Sequence, residues 1–326
     1  MYRISTIFIA ALLITGCTTT TDDALKRVIS DIPEAWSYES DTLGKHPTFW
    51  WQNFRDAQLN QAIGEALESN PNLQAAGTRL QAAWSQARIS EAELFPQIGL
   101  SSGLSTSQMN MAQFGVRLPN IPAKFNSQRH NLTLGAQWEL DLWGRVRAGK
   151  RAARANALSQ AADFAGSRHS LAGQLAKAWM LSIESRQQLL LANSTVNTYE
   201  TTVERIRARF EQGVRSSLDL RLAAASLAAA KANVAERITS ANQATRQLEV
   251  LLGKVPSNQL EVPSKLPSMP STIPVGIPAE ILSRRPDIVA AEQDLRAAGA
   301  NVQQAKASLY PQISLTSSTG TSTSEL

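Results

Sequence analysis

The sequence predicts a mostly α-helical chain that carries membrane-type β-strands and is internally duplicated. Three observations carry this expectation: a heptad-type seam over residues 171–210, strict polar–apolar alternation over 131–143, and a repeat of segment 71–107 at 286–322.

Composition narrows the function classes. Of 326 residues, 43% are hydrophobic and 18% charged, which excludes a disordered tail or a charged rod. Aromatics are scarce at 6%, and Ala, Leu, Ser and Gln take their place, as expected of thin, close-packed helical layers. The net charge of +5 is scattered without a basic footprint, so no nucleic-acid partner is expected. The single cysteine, Cys17, excludes an internal disulfide and a Cys-based metal cluster, and His46, His130 and His169 have no ligand spacing. No metal site, cofactor or catalytic site is expected: GxSxG, P-loop and HExxH patterns are absent, and Asp22-Asp23 reads as a solvated pair.

Residues 1–16 read as a lipoprotein signal peptide. Arg3 precedes the apolar run Ile4–Ile14, which is too short for a spanning helix and has the size of a leader core. The run ends in Ile14-Thr15-Gly16-Cys17, which resembles a bacterial lipobox; a free cysteine after a secretory leader is the plainer alternative. On the lipobox reading, Cys17 carries covalent diacylglycerol and a fatty acyl group, anchoring the chain by about 0.8 kcal/mol per buried CH₂. Thr18 in place of Asp implies sorting to the outer membrane. Residues 17–48 then form a lipid-anchored tether.

A domain over 49–326 follows, divided into a first repeat (49–253), a Pro-rich linker (254–278) and an incomplete second repeat (279–326). A short helical segment, beginning with the Trp50-Trp51 pair, runs from Phe49 to Ser69. Pro71 starts a second helix at the favoured first position, and Leu73, Ala76, Gly77, Leu80, Ala83, Trp84 and Ala87 form its apolar stripe. Pro96 ends it. Between Asn131 and Trp143 the period changes to two: Leu132, Leu134, Ala136, Trp138, Leu140 and Leu142 alternate with polar residues or Gly. That fits a membrane strand of about 9–11 residues, although one such strand alone fits a soluble sandwich at least as well. Weaker alternation at 97–105 and 312–321 predicts two more strands, with a loop over roughly 106–130.

Helix resumes near Arg145. Leu171, Leu175, Ala178, Ser182, Ser185, Leu189, Ala192, Val196, Tyr199, Val203, Ile206 and Phe210 repeat at intervals of four and three, a seam of about 60 Å at 1.5 Å per residue. Gly213 interrupts the helix, and Ser216-Ser217-Leu218-Asp219 reads as a capping box opening the next one. That partner helix runs to about Leu252, with an Ala-rich face of Leu222, Ala225, Ala229 and Ala232. Six of the 14 prolines then fall within 254–278, an extended linker, and helix returns at Pro286. The repeat matches at 15 of 37 positions, including Pro96-Gln97-Ile98 against Pro311-Gln312-Ile313 in register.

These landmarks together resemble the outer-membrane factor family of tripartite efflux systems (TolC/OprM/NodT-like). The residues that carry the resemblance are Trp50-Trp51 with Phe54, Asn70-Pro71-Asn72-Leu73, the run Trp138–Arg145, Phe210–Gly213 with Ser217–Asp219, Leu251–Gly253, and Arg284–Ile288 with Tyr310–Ile313. The resemblance implies a long α-helical periplasmic barrel plus a partial transmembrane β-barrel, each protomer of a homotrimer giving four strands. It implies a passive outer-membrane channel component and no enzyme, with a periplasmic adaptor protein, an inner-membrane pump and outer-membrane lipid as partners. Gly213, Ser217, Leu218 and Asp219 would be the periplasmic tip where the adaptor docks, with Asp219 acting as cap alone or as cap and pore gate. Leu132, Leu134, Trp138 and Leu140 would line the lipid side of a strand.

Residue 326 falls inside the repeat's first strand. The expectation is therefore that this chain alone closes no stable channel, since an open edge in lipid leaves unpaired groups costing several kcal/mol each. The alternative function is a non-transporting structural helical lipoprotein of the periplasm that binds partner proteins. It accounts for the lipobox and the heptads but not for the alternating strand or the Pro-Gln-Ile repeat.

Overall fold

The computed structural model describes residues 49–110, 124–270 and 282–325. The expected leader, Cys17 and the tether lie outside the described residues, as do 111–123 of the expected loop, 271–278 of the linker and 279–281 of the second repeat. In chain order the elements are a 3-10 turn (Trp50–Phe54), α1 (Ala57–Ser69), α2 (Pro71–Ala92), β1 (Gln97–Asn110), β2 (Lys124–Leu140), α3 (Arg145–Glu211), α4 (Ser217–Leu251), α5 (Pro286–Ala307) and β3 (Ile313–Glu325). They divide into a sheet unit (81–160 and 291–325) and a helical unit (49–80 and 161–290).

In the sheet unit the strands lie in the order β1-β2-β3, antiparallel throughout. The duplication is exact in helix length: α2 and α5 are both 22 residues and begin at Pro71 and Pro286. Both helices end the same way. Leu94 N–H bonds Glu91 O and Phe95 N–H bonds Ala92 O, and the repeat makes Leu309 to Lys306 and Tyr310 to Ala307. These i→i−3 bonds tighten the last turn before a proline that has no N–H to continue the helix.

The strands differ from expectation at their ends. The loop is shorter than 106–130, because β1 runs to Asn110 and β2 starts at Lys124, with pairs such as Ser107 opposite Ser127. Backbone pairing does not need apolar alternation, so the ladder continues through polar residues where the sequence pattern stops. At its other end β2 stops at Leu140, and Leu142 and Trp143 belong to the corner before α3.

The core of the helical unit joins Trp51, Leu59, Ile63, Leu175, Trp179, Ile183, Leu248 and Leu252. The expected single segment from Phe49 to Ser69 is broken at Arg55, which adopts φ 53°, and Asp56 caps α1. One Asp56 oxygen accepts from Gln58 and Leu59 N–H and the other from Trp179 Nε1 at 3.0 Å, so a single carboxylate starts α1 and ties it to α3. Asn70 repeats this device for α2. Its Oδ1 accepts from Asn72 and Leu73 N–H, and its Nδ2 donates to Leu251 O at 2.9 Å. Gly253, at φ +72°, comes so close that a Cβ there would sit 3.1 Å from Ser69 O.

The α3 seam is buried at Leu175, Ala178, Ser182, Ser185, Ala192 and Val203, while Tyr199 and Phe210 remain exposed. On α4 the Ala-rich face of Leu222, Ala225, Ala229 and Ala232 is exposed and does not meet α3. The inward line is Leu220, Ala223, Leu227, Ala230, Val234, Ala241, Thr245 and Leu248, again at heptad-like intervals. Alanine lies on every side of this helix, so small residues gave the pattern no direction. Ser182 and Thr245 hydroxyls meet at 3.4 Å between the two seams, and Lys231 pairs with Glu200 at 2.8 Å.

Candidate functional site

Three places in the chain carry chemistry that packing alone does not use: the two faces of the sheet, the corner leading into α3, and the turn between α3 and α4.

The register sets Leu100 opposite Leu134, Ile98 opposite Ala136, Trp138 opposite Leu315 and Leu140 opposite Ile313. Leu132, Leu134, Trp138 and Leu140 therefore share one face with Ile98, Leu100 and Leu315. The opposite face carries Ser101, Ser105, Asn131, Thr133, Gly135, Ser318 and Ser322. Most of the apolar face is exposed among the described residues, with Ile98 at 72%, Leu100 at 70% and Leu315 at 61%, while Trp138 and Leu140 at its lower end are partly buried. From Leu132 to Leu140 it extends about 27 Å along β2, the scale of the apolar band of a membrane barrel. A soluble sandwich would bury that face; this sheet presents it, and presents hydroxyls and glycines on the other.

At the corner six residues of the Trp138–Arg145 run have a task. Trp138 Nε1 donates to Leu94 O at 3.0 Å. Glu139 receives the Arg145 guanidinium, Nε to Oε1 at 2.9 Å. Asp141 accepts the N–H groups of Val146 and Arg147 at 3.0 and 2.9 Å, filling orphan donors at the start of α3. Burial pushes its carboxyl up, but the two amides and the Arg147 guanidinium outweigh burial and hold it below the ordinary Asp value. Gly144 supplies φ +76° for the turn. Trp143 stacks on Tyr310 with centroids 5.0 Å apart and donates from Nε1 to Pro311 O at 2.9 Å. Lys150 pairs with Glu91, and Arg151 donates to Gln303 at 2.8 Å, which places much of the basic start of α3 against the two repeat helices.

At the α3–α4 turn, Gly213 adopts φ +73° while Val214 N–H bonds Arg209 O at 2.9 Å, closing α3 in a Schellman-type turn. Ser216 is the N-cap of α4 and Ser217 its first residue. Ser216 Oγ accepts from Asp219 N–H at 3.2 Å and Asp219 Oδ2 accepts from Ser216 N–H at 3.3 Å, the reciprocal capping box. Arg215 lies 3.8 Å from the same carboxylate. Leu218 is 63% exposed and Val214 69%. Gly213, Ser217, Leu218 and Asp219 thus lie together on one exposed turn.

Sequence reasoning missed a fourth feature, Glu249. It is 2% exposed and accepts the N–H groups of Asn258, Gln259 and Leu260 at 2.8–3.1 Å, with Ser257 Oγ at 3.2 Å. Arg186 and Gln187 hold the same segment through Leu260 O and Ser264 O. Burial pushes the Glu249 carboxyl up, and the amide donors outweigh it and hold it below the ordinary Glu value. Among the described residues no group of three or more His, Cys, Asp or Glu is arranged to hold a metal, and no helix is long and apolar enough to cross a membrane.

A family model described as outer membrane efflux protein matches residues 62–254 and 277–326. The chain belongs to the outer membrane efflux protein family. Toluene efflux pump outer membrane protein TtgC of Pseudomonas putida is 34% identical over 275 residues, 83% of this chain and 55% of that protein. The probable outer membrane lipoprotein SilC of Salmonella typhimurium is 28% identical over 334 residues, 100% of this chain and 69% of that protein. The outer-membrane channel OprN superposes with TM-score 0.74 at 27% identity, over 90% of this chain and 71% of that one. The chain therefore spans about half the length of TtgC and about two thirds of SilC. The fold is that of this channel family, with long helices and a few membrane-type strands.

Proposed function

We propose that this chain is an outer-membrane channel component of a tripartite efflux pump, passively conducting small molecules from periplasm to exterior. The largely exposed apolar face of the sheet carries this reading. A sheet whose large apolar side chains all stand on one face, beside the small hydroxyls of Ser102, Ser317, Thr319 and Thr321, and whose other face is Ser, Thr, Asn and Gly suits lipid outside and water inside. β1 and β3 run in the same direction, so an antiparallel barrel built from a homotrimer takes a further strand between the β3 of one protomer and the β1 of the next. Trp143 and Tyr310 at the strand bases suit the headgroup level, where aromatic rings collect.

The remaining expectations join this reading as parts of it. Cys17 carries the acyl anchor in the outer membrane of a Gram-negative cell, with the helices extending into the periplasm. The turn at Gly213, Ser217, Leu218 and Asp219 meets the periplasmic adaptor that links the channel to an inner-membrane pump, and Asp219 both caps α4 and narrows the entrance. No covalent step is assigned to any residue; selection of the cargo belongs to the pump.

Fractionation with spectroscopy tests the proposal. The chain, expressed with its leader, is expected in the outer-membrane fraction, labelled by palmitate unless Cys17→Ser is introduced. It should show a β contribution in circular dichroism and heat-modifiable migration on gels. An all-helical spectrum from a chain in the soluble fraction would overturn the channel reading in favour of a structural lipoprotein.

A further inference from the structure

The polar face of the sheet is almost free of charge. Along β2 it presents Asn131, Thr133, Gly135 and Gln137, paired with Ser, Thr, Gly and Gln on β1 and β3. Among the described residues of the three strands this face holds two ionisable side chains, Arg129 and Glu139. Glu139 is neutralised by Arg145, Nε to Oε1 at 2.9 Å. Arg129 is exposed and makes no ion pair or side-chain hydrogen bond among the described residues. Its cross-strand neighbours are Ser105 and Ser324, which carry no charge. Glu139 lies ten residues further along β2, about 33 Å away, far beyond the screening length of about 8 Å at physiological salt. Nothing on this face of the three strands, among the described residues, cancels the field of Arg129.

The apolar face fixes the height of Arg129. There Leu104, 66% exposed and paired with His130, is the last large apolar side chain among the described residues. The next pairs are Thr106 with Gln128 and Gln108 with Asn126, and the two amides of the second pair hydrogen-bond at 2.8 Å. A face that turns from leucine to amides within one pair marks the edge of an apolar band. Arg129 stands at that edge on the opposite side, at the end of β2 away from α3. A guanidinium keeps its charge at every physiological pH, so an arginine alone among hydroxyls is a fixed positive centre facing water. Arg or Lys repeated around a pore favours anions. We infer that Arg129 sets the charge preference of the outer mouth, enriching small organic anions such as carboxylates, sulfonates and phosphate esters at the wall and disfavouring organic cations. The inference rests on the channel reading for the water behind this face, and on the register and the uncharged surroundings for the sign of the preference.

The test places a reporter thiol opposite the guanidinium. Directly opposed side chains on neighbouring strands stand about 5 Å apart at Cβ, so Ser105→Cys in the full chain, in outer-membrane preparations, samples the field of Arg129. Its reaction rates with a sulfonate-bearing and a trimethylammonium-bearing methanethiosulfonate are compared, with the chain lacking the added cysteine as the blank for Cys17. These reagents are themselves small organic ions, and changes in thiol reactivity cancel in their ratio. A unit charge about 6 Å away in water speeds one reagent and slows the other about threefold, so Arg129→Gln is expected to lower the anion-to-cation ratio about tenfold and Arg129→Glu about tenfold more. The differences should shrink as salt rises. Arg129→Lys should keep the parent ratio, as should Lys124→Gln, an equal charge change on the other face. A ratio that Arg129→Gln and Arg129→Glu leave unmoved would overturn the inference, because a carboxylate from elsewhere would then already neutralise the guanidinium. An equal fall with Lys124→Gln would overturn it too. Leu100→Cys on the apolar face answers for the channel separately. Slow reaction there with both reagents, beside an unmoved ratio at Ser105→Cys, keeps the channel and removes the role of Arg129. Fast reaction at Leu100→Cys removes the channel, and the mouth with it, even where the ratio follows Arg129.

Discussion

The indole of Trp143 lies on the phenol ring of Tyr310, centroids 5.0 Å apart at 24°, and so fastens the β2–α3 corner to the start of β3. The stack joins the first repeat to the second at the foot of the sheet. An aromatic pair contributes about 0.5–1.5 kcal/mol beyond its buried area, and the indole N–H adds a bond to Pro311 O. Trp143→Ala is expected to destabilise the folded chain by about 2 kcal/mol, and Trp143→Phe, which keeps a ring and loses the donor, by about 1 kcal/mol. Urea unfolding in detergent measures both. Equal losses would mean that the hydrogen bond, not the stack, holds the corner.

Glu249 makes the segment after α4 sensitive to acid. Its folded value lies below that of the unfolded chain, so its stabilisation is complete above the ordinary Glu value of about 4.3 and is lost as pH falls through the lower folded value. Glu249→Gln keeps the shape but cannot accept from all four donors as a charged group, and is expected to cost about 2 kcal/mol at neutral pH and little in acid. Hydrogen exchange at the amides of Asn258, Gln259 and Leu260 reads this locally. Protection that is the same in parent and variant at neutral pH would refute the role.

Elements were more legible than the bonds between them. Period-two alternation located β2, and the α3 seam and the repeat located the helices, because burial imposes those periods on side-chain type. The facing side of α4 was not legible, since an Ala-rich helix has no hydrophobic direction and only the partner helix chooses one. Glu249 was invisible for another reason: its partners are main-chain N–H groups, which every residue type supplies. The run Trp138–Arg145 was recognisable as a string, but its meaning as a strand-to-helix corner needed the Glu139–Arg145 and Asp141–Val146 distances. At the tip, Ser216-x-x-Asp219 announced the cap.

The junction of α1, α2 and α4 rests on Asn70 and Gly253. Asn70→Ala removes the α2 cap and strands the Leu251 carbonyl, an expected loss of about 1–2 kcal/mol. Gly253→Ala meets both a left-handed φ and a 3.1 Å approach to Ser69 O, and is expected to cost at least about 1 kcal/mol. The two share one junction, so the double variant should lose less than the sum, as equilibrium unfolding of all three chains would reveal. Strict additivity would separate the cap from the close approach.

The sheet offers the sharpest contrast, because neighbouring positions on β2 face opposite ways. Leu134 stands on the apolar face opposite Leu100, and Thr133 on the polar face opposite Ser101. If lipid covers the first face and water the second, a lysine at 134 must hold its ammonium in hydrocarbon, at about 2–4 kcal/mol near the midplane, while a lysine at 133 stays hydrated. Leu134→Lys is therefore expected to abolish heat-modifiable migration and lower the outer-membrane yield, and Thr133→Lys to leave both close to the parent. A soluble sandwich that buried the apolar face would also suffer from Leu134→Lys, so a second pair separates the cases. Leu134→Phe enlarges the side chain, which a packed protein core resists and fluid lipid accepts. Tolerance of Phe with intolerance of Lys at 134 fits lipid; intolerance of both would place that face against protein.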